Sequence, residues 1–313
     1  MRLSALIAAS AVLVVAGCSS GPTASPAGGA AATVGSPSVA PAESPSRSTT
    51  GATPAPSDLL TGFYDVGGRR LWLECTGSGT PTIVIDVGND DTIHGSWGAV
   101  FAPMSKISHV CAYDRANLGK SDPAPARTIQ DVAEDLATLL TATKVPGPYV
   151  FVGGSFGGNV VGNLAAEHPD LVAGTVFVDS EPANLDPRLD PVRSNITKAQ
   201  FAACCSQHYG PPPVDSPDNG EHIDYVKGAA LDVANVGKQP DVPTVVLTAD
   251  QYDCLADWPC DKIIKSEETL QAEWIAGNPK GTQTIVHSGH VMQRENPQAI
   301  LDATKSVIDA VRS

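Results

Sequence analysis

One serine stands among glycines at the point where an apolar run gives way to a helical pattern. Residues 148–158 read PYVFVGGSFGG, so Ser155 has Gly153 and Gly157 two residues away on either side. A strand that turns this sharply into a helix strains the serine backbone, and side chains at the two glycine positions would collide. The helix would point its first amides and its positive dipole end at the serine, where an oxyanion could form. The pattern therefore predicts a nucleophilic Ser155.

The segments around this corner alternate between strand and helix patterns. Strands are predicted over residues 69–77, 81–88, 109–115, 148–154, 172–180, 242–250 and 281–290, and helices over 128–143, 158–168 and 297–312. Strands that alternate with helices indicate an α/β fold with a mostly parallel sheet. Without this context, the corner could also be a tight strand–helix crossing with an incidental serine.

The N-terminal part of the sequence contains targeting signals and no candidate core. Arg2 precedes an apolar stretch over residues 5–17, which is too short to span a membrane comfortably and ends just before Cys18. This resembles a bacterial lipoprotein signal, so we expect a signal peptide over 1–17 and lipidation of Cys18. An ordinary signal peptide that contains Cys18 is the alternative. With a lipidated Cys18, the protein would be extracytoplasmic and lipid-anchored to the bacterial cell membrane.

Residues 18–58 are dominated by Ser, Pro, Ala, Gly and Thr and lack aromatic residues, which predicts a disordered tether. The remaining residues, 59–313, are long enough for one folded domain. The chain carries 20 basic and 34 acidic residues, a net charge of −14, and such a surface repels phosphate backbones. Nucleic acid is therefore not an expected partner.

Five stretches, in this order, resemble the α/β-hydrolase superfamily, and the resemblance extends over residues 60–312. They are PTIVIDVGND (81–90), YDRANLGKSDP (113–123), FVGGSFGG (151–158), LTADQYD (247–253) and HSGHVMQRENPQAI (287–300). The resemblance implies an α/β-hydrolase fold in which a lid occupies about residues 181–240. Within this lid, residues 197–207 and 221–235 have helical patterns. The implied activity needs no cofactor and no metal.

The resemblance also assigns roles to individual residues. Ser155 would attack an acyl carbonyl, and His290, in a Ser-Gly-His loop after the last strand, would act as its base. The backbone N–H groups of Phe156 and Asn89 would bind the oxyanion. Dehalogenases and epoxide hydrolases of this fold place aspartate at the corner, so Ser155 argues against both. Of the other histidines, we expect His94 to be solvated or structural.

Two residues depart from the pattern of the superfamily. Gly154 stands immediately before the nucleophile, where histidine is often found, and Asn117 stands where glycine is frequent. Neither change removes a catalytic atom.

Three aspartates are candidates for the carboxylate that orients the histidine. Asp253 is preferred, because the superfamily usually places the acid in the loop after the later strand, with the spacing seen here. Asp250 ends that same strand and has less reach toward the histidine. Asp179 ends the earlier strand, which is an alternative location of the acid in this fold.

Six cysteines remain beyond Cys18, an even number that suggests disulfides in an exported protein. Their spacing matches no zinc-binding pattern, so a metal site is not expected. The strand order of the superfamily implies a bridge between Cys75 and Cys111. Four more are then left to join the lid to the loop after the acid strand: Cys204, Cys205, Cys254 and Cys260.

The sequence thus predicts a serine hydrolase that acts on a small-molecule acyl substrate, most readily an ester. An amide or peptide substrate and acyl transfer on the same triad remain alternatives. A non-catalytic binding lipoprotein with this fold is a third possibility, but it would be expected to have a damaged triad.

Overall fold

The computed structural model describes residues 60–182, 195–200, 212–252 and 258–313. The described strands form one sheet in the order β1-β2-β4-β3-β5-β6-β7-β8. They are β1 Gly62–Asp65, β2 Arg70–Thr76, β3 Ile83–Asp86, β4 Val110–Asp114, β5 Tyr149–Gly154, β6 Val172–Val178, β7 Thr244–Ala249 and β8 Gly281–Val286. Only the β1–β2 and β2–β4 pairs among them are antiparallel. The expectation of a mostly parallel sheet is confirmed.

Helices cover both faces of this sheet. Within the described residues they are α1 Gly98–Met104, α2 Ile129–Thr143, α3 Phe156–Glu167, α4 Tyr225–Val236, α5 Cys260–Gln271, α6 Met292–Glu295 and α7 Pro297–Arg312. Apolar side chains of α2 and α3 pack in one core, and those of α1 and α7 pack in the other. A capping box of Thr128 and Asp131 begins α2, and Pro297 begins α7.

The insertion between β6 and β7 is attached to the helix that follows the nucleophile. Asn163 of α3 donates to Asp232 of α4 over 2.6 Å and accepts from Asn235 over 2.9 Å. Burial raises the pKa of Asp232 to about 7. The second predicted lid helix is thus observed as α4, whereas residues 201–207 of the first lie outside the described residues.

The predicted bridge between Cys75 and Cys111 is confirmed. The two residues lie opposite each other on the antiparallel strands β2 and β4, and a disulfide joins them. Cys260 is also disulfide-bonded. Cys204, Cys205 and Cys254 lie outside the described residues, and the expected lid bridges stay a prediction.

Replacing both Cys75 and Cys111 by alanine is expected to lower the free energy of unfolding by about 2–4 kcal/mol. The bridge closes a segment with a sequence separation of 36, and it restricts the unfolded chain. Urea unfolding under non-reducing conditions measures the loss. In reducing buffer the difference from wild type should shrink, and an equal difference in both buffers would contradict the cross-linking argument.

The expected signal peptide, Cys18 and the tether also lie outside the described residues. In the part of the chain that is described, no helix is both long and apolar enough to cross a membrane.

Candidate active site

Ser155 lies at the corner between β5, which ends at Gly154, and α3, which begins at Phe156. Its φ angle is +51°, in the left-handed region that side chains other than glycine seldom adopt. A Cβ on Gly153 would lie 2.6 Å from the carbonyl oxygen of Gly157, and one on Gly157 would collide with the backbone of β3. The glycines therefore permit the strained turn, as their spacing predicted.

A chain of hydrogen bonds connects Ser155 to His290 and Asp179. His290 Nδ1 lies 2.7 Å from Asp179 Oδ2, and His290 Nε2 lies 3.0 Å from Ser155 Oγ. A carboxylate only accepts, so Nδ1 carries the proton and Nε2 accepts from the serine hydroxyl. This is the geometry in which a histidine removes a proton from a serine.

The Asp179 carboxylate is buried and held from several sides. Its Oδ1 accepts the backbone N–H of Ala249 over 3.0 Å, the side-chain amide of Gln271 over 3.0 Å and the hydroxyl of Tyr252 over 2.8 Å. The side chain itself is 0% exposed. The Tyr252 hydroxyl lies equally close to Oδ2, at 2.8 Å, and Oδ2 also bonds His290. The carboxylate is therefore held in the position of an orienting acid.

Among the described residues, the carboxylate that bonds His290 is that of Asp179, and the preference for Asp253 is not tested. Asp253 lies outside the described residues, and Asp179, kept as an alternative, occupies the bond to His290 Nδ1. The physical reason is the sheet order: β6 lies directly beside β5, so the residue after β6 reaches the serine corner. Asp250 instead lies 3.2 Å from the exposed His287.

The electrostatic surroundings of His290 favour its charged form. Burial lowers its pKa, but the hydrogen bond and the charge of Asp179 outweigh burial, and Glu181 and Glu267 add to them. The net effect raises the pKa of His290 above its ordinary value of about 6.5.

This shift predicts a pH profile. A general base works in its neutral form, so kcat/KM is expected to rise with pH, with a midpoint above about 6.5, and to fall as His290 becomes protonated. Stopped assays between pH 5 and 9 give the midpoint. Glu181→Gln removes a carboxyl whose ionised form raises the pKa of His290, and is expected to lower the midpoint. A midpoint that is unchanged in this variant would contradict the electrostatic account.

Glu181 is a second carboxyl at the nucleophile, and sequence reasoning missed it. Its backbone N–H donates to the carbonyl oxygen of Ser155 over 3.3 Å, and its Oε2 is buried without a hydrogen-bond partner among the described residues. Burial raises its pKa to about 7, although the charges of His290 and Arg115 oppose the shift. The available signal was its place two residues after Asp179, at the same end of a strand.

The two expected oxyanion donors flank the serine. Phe156 is the first residue of α3, and Asn89 follows Gly88 in the loop after β3. A Cβ on Gly88 would lie 3.6 Å from the Cβ of Ser155, so this loop passes directly beside the nucleophile. The residues that carry both N–H groups thus lie next to Ser155.

The structure accounts for the two departures from the superfamily pattern. A side chain at position 154 would collide with the indole of Trp97, which fills that part of the wall. Asn117 has a φ angle of +72°, a conformation that asparagine tolerates better than most residues. Its side-chain amide also donates to the carbonyl oxygens of Ala124 and Glu221.

A cleft of about 460 Å³ opens over Ser155 and His290. Most of its other side chains are polar: Asn89, Asp90, Asp91, Ser96, Glu181, Gln293 and Arg294. His94 does not line this cleft; it lies 2.8 Å from Glu74 at the surface, as expected of a structural or solvated histidine.

Comparison with known proteins agrees with this architecture. The alpha/beta hydrolase fold family matches residues 88–211, which include the serine corner. Together with the sheet order, this match shows that the chain has the α/β-hydrolase fold.

Individual relatives are distant. An esterase from Thermogutta terrifontis is 22% identical, with a TM-score of 0.57, and the match covers 78% of this chain and 95% of the esterase. An enol-lactonase from Burkholderia xenovorans LB400 is 20% identical, with a TM-score of 0.57, and coverage is 80% and 100%. A Hormonema carpetanum protein named "Probable transporter efuK" is 31% identical over 42% of this chain and 20% of its own length. The chain spans 16% to 41% of the curated relatives it matches.

Proposed function

We propose that this protein is a serine hydrolase that cleaves carboxylic esters through Ser155, His290 and Asp179. The observation that carries the proposal is the pair of hydrogen bonds, 3.0 Å and 2.7 Å long, that connects the three side chains at a strained strand–helix corner. The hydrolase fold and the esterase among similar structures agree with it.

The proposed reaction proceeds through an acyl-enzyme. Ser155 Oγ attacks the ester carbonyl while its proton passes to His290 Nε2, and Asp179 stabilises the imidazolium. The carbonyl oxygen, now an anion, is bound by the N–H groups of Phe156 and Asn89. His290 returns the proton to the leaving alcohol. Water then attacks the acyl group by the same route and releases the acid.

The cleft favours a small or medium-sized, polar ester. Its volume of about 460 Å³ and its predominantly polar side chains suit a short acyl ester better than a long acyl chain, although Trp97, Val178 and Val291 also line it. We therefore propose short acyl esters as the substrate class, with amides as the less favoured class.

A panel of para-nitrophenyl esters and the matched anilides tests this proposal. We expect turnover of the acetate and butyrate esters to exceed that of the palmitate ester and of the anilides. Adding a short alcohol separates hydrolysis from acyl transfer, because a transferase would make a new ester faster than free acid. Absence of turnover on the whole panel would favour the non-catalytic alternative, and dominant ester synthesis would favour the acyltransferase.

We also propose that lipidated Cys18 anchors the enzyme to the outer face of the bacterial cell membrane through a tether of residues 18–58. The short apolar signal before Cys18 supports this, and a diacylglyceryl group supplies the two chains that stable anchoring needs. We expect Cys18→Ala to move most of the protein from the membrane fraction to the soluble fraction without loss of specific activity. A Cys18→Ala protein that stays in the membrane fraction would contradict the anchor.

A further inference from the structure

A buried guanidinium lies directly behind the serine corner. Arg115 follows β4, and its side chain is 1% exposed. It is paired with two carboxylates: Asp86 at the end of β3, and Glu221, which accepts from Nε and from Nη2 over 2.7 Å each. These carboxylates raise the pKa of Arg115 although burial opposes the shift, so the group stays charged.

The same guanidinium binds the backbone of the loop beside the nucleophile. Nη1 donates to the carbonyl oxygen of Val87 over 2.6 Å, and Nη2 donates to that of Gly88 over 2.6 Å. The carbonyl of Gly88 and the N–H of Asn89 belong to one planar trans peptide, in which they point in opposite directions. Fixing the carbonyl on Arg115 therefore fixes the N–H of Asn89 facing away from Arg115.

Arg115 also contacts the residue that carries the second expected donor. Its guanidinium carbon lies 5.1 Å from the centre of the Phe156 ring. This ring and that of Tyr225 pack edge to face, with ring centres 5.6 Å apart. One side chain thus binds the peptide that carries the N–H of Asn89 and also contacts the ring of Phe156.

The insertion between β6 and β7 completes this support. Glu221 Oε1 accepts the N–H of Asp90 over 2.9 Å, and the N–H of Glu221 donates to Asp90 Oδ1 over 3.1 Å. Tyr225 donates to Asn89 Oδ1 over 2.9 Å. The loop of residues 87–90 is therefore bonded to the insertion as well as to Arg115 at the end of β4.

We propose that Arg115 is the positioning residue of the oxyanion hole, and that Glu221 of the insertion holds it in place. This inference rests on the proposed function, since it concerns how Asn89 and Phe156 serve the reaction of Ser155. It gives the insertion a role in the catalytic step, in addition to any part in choosing the substrate.

Arg115→Lys tests the inference in the full chain. Lysine keeps the charge, but its single ammonium cannot serve two carbonyls and two carboxylates in the planar arrangement that arginine provides. We expect kcat on para-nitrophenyl acetate to fall by about 10²-fold, the scale of losing an oxyanion donor, while KM changes by less than about threefold.

An alkyl trifluoromethyl ketone gives a second readout. Ser155 Oγ adds to its carbonyl carbon, the serine proton passes to His290, and the ketone oxygen becomes the oxyanion. Its affinity is expected to weaken by the same factor as kcat/KM, because both report binding of the oxyanion. A purely structural role would not weaken this affinity in protein that remains folded.

If Arg115→Lys does not fold, Glu221→Gln tests the inference instead, and Asp135→Asn is its control. Both replace a buried carboxylate that is paired with arginine by its amide, and Asp135 binds Arg69 and Arg127 instead of Arg115. The two variants are compared at the same concentration of folded protein. We expect the kcat of Glu221→Gln to be at least about tenfold below that of wild type, and the kcat of Asp135→Asn to equal that of wild type. Equal kcat in both folded variants would overturn the inference. So would an Arg115→Lys variant in which KM rises while kcat stays unchanged.

Ser155→Ala is measured beside these variants. If Ser155→Ala keeps its turnover, the proposed function itself fails. If Ser155→Ala is inactive but the folded Arg115→Lys and Glu221→Gln variants match wild type, only the positioning role fails.

Discussion

Ser155→Ala is expected to lower kcat on para-nitrophenyl acetate by about 10⁶-fold, because removing the nucleophile abolishes the acyl-enzyme route. The thermal unfolding temperature should stay close to that of wild type, since the strained corner gains little from the hydroxyl. Steady-state assays at high protein concentration, combined with thermal unfolding, measure both quantities.

Ser108→Ala is the matched control for this change. Ser108 is a buried serine that donates to the carbonyl oxygen of Pro81 at the opposite end of the strands from the corner. This variant should retain kcat even where it loses stability. Equal losses of kcat in both variants would mean that the hydroxyl of Ser155 has no chemical role.

Asp179→Asn is expected to lower kcat by about 10⁴-fold, as found for the corresponding amide change in a related triad. Without the carboxylate, His290 loses the partner that sets its tautomer and stabilises its charged form. Its pKa should fall as well, so the midpoint of the kcat/KM profile should move to lower pH. Steady-state assays between pH 5 and 9 measure both effects.

The two other aspartates that the sequence offered as the acid serve as controls for Asp179→Asn. We expect Asp250→Asn and Asp253→Asn to stay within about tenfold of wild type. A loss of about 10⁴-fold in Asp253→Asn with little effect in Asp179→Asn would return the acid to the later strand.

The identity of the carboxylate that bonds His290 could not be predicted from the sequence. Asp179 and Asp250 each follow a strand and Asp253 lies three residues beyond Asp250, so local pattern left three candidates, of which the resemblance favoured Asp253. Which one meets His290 depends on loop conformation and on the fact that β6 is the strand next to β5. Ser155 and His290 were predictable because each lies in a short motif. The bonds from Arg115 to Glu221 connect residues separated by 106 positions, and no local spacing indicates them.

The secondary elements that were not predicted have weak local patterns. Strand β1 has four residues and lies at the sheet edge, so it shows little periodicity. Helix α1 has only seven residues and contains Pro103, and a proline inside a segment disfavours the prediction of a helix. Helix α5 is rich in charged residues, and its apolar face is narrow. Tertiary packing rather than local preference decides such segments.

Covalent labelling tests the central claim most directly. The full chain is treated with a fluorophosphonate, digested, and the modified residue is located by mass spectrometry. The account predicts one adduct per chain on the peptide that contains Ser155, with labelling abolished in Ser155→Ala. An adduct on another residue, or ester turnover by protein whose Ser155 stays unmodified after inactivation, would contradict it.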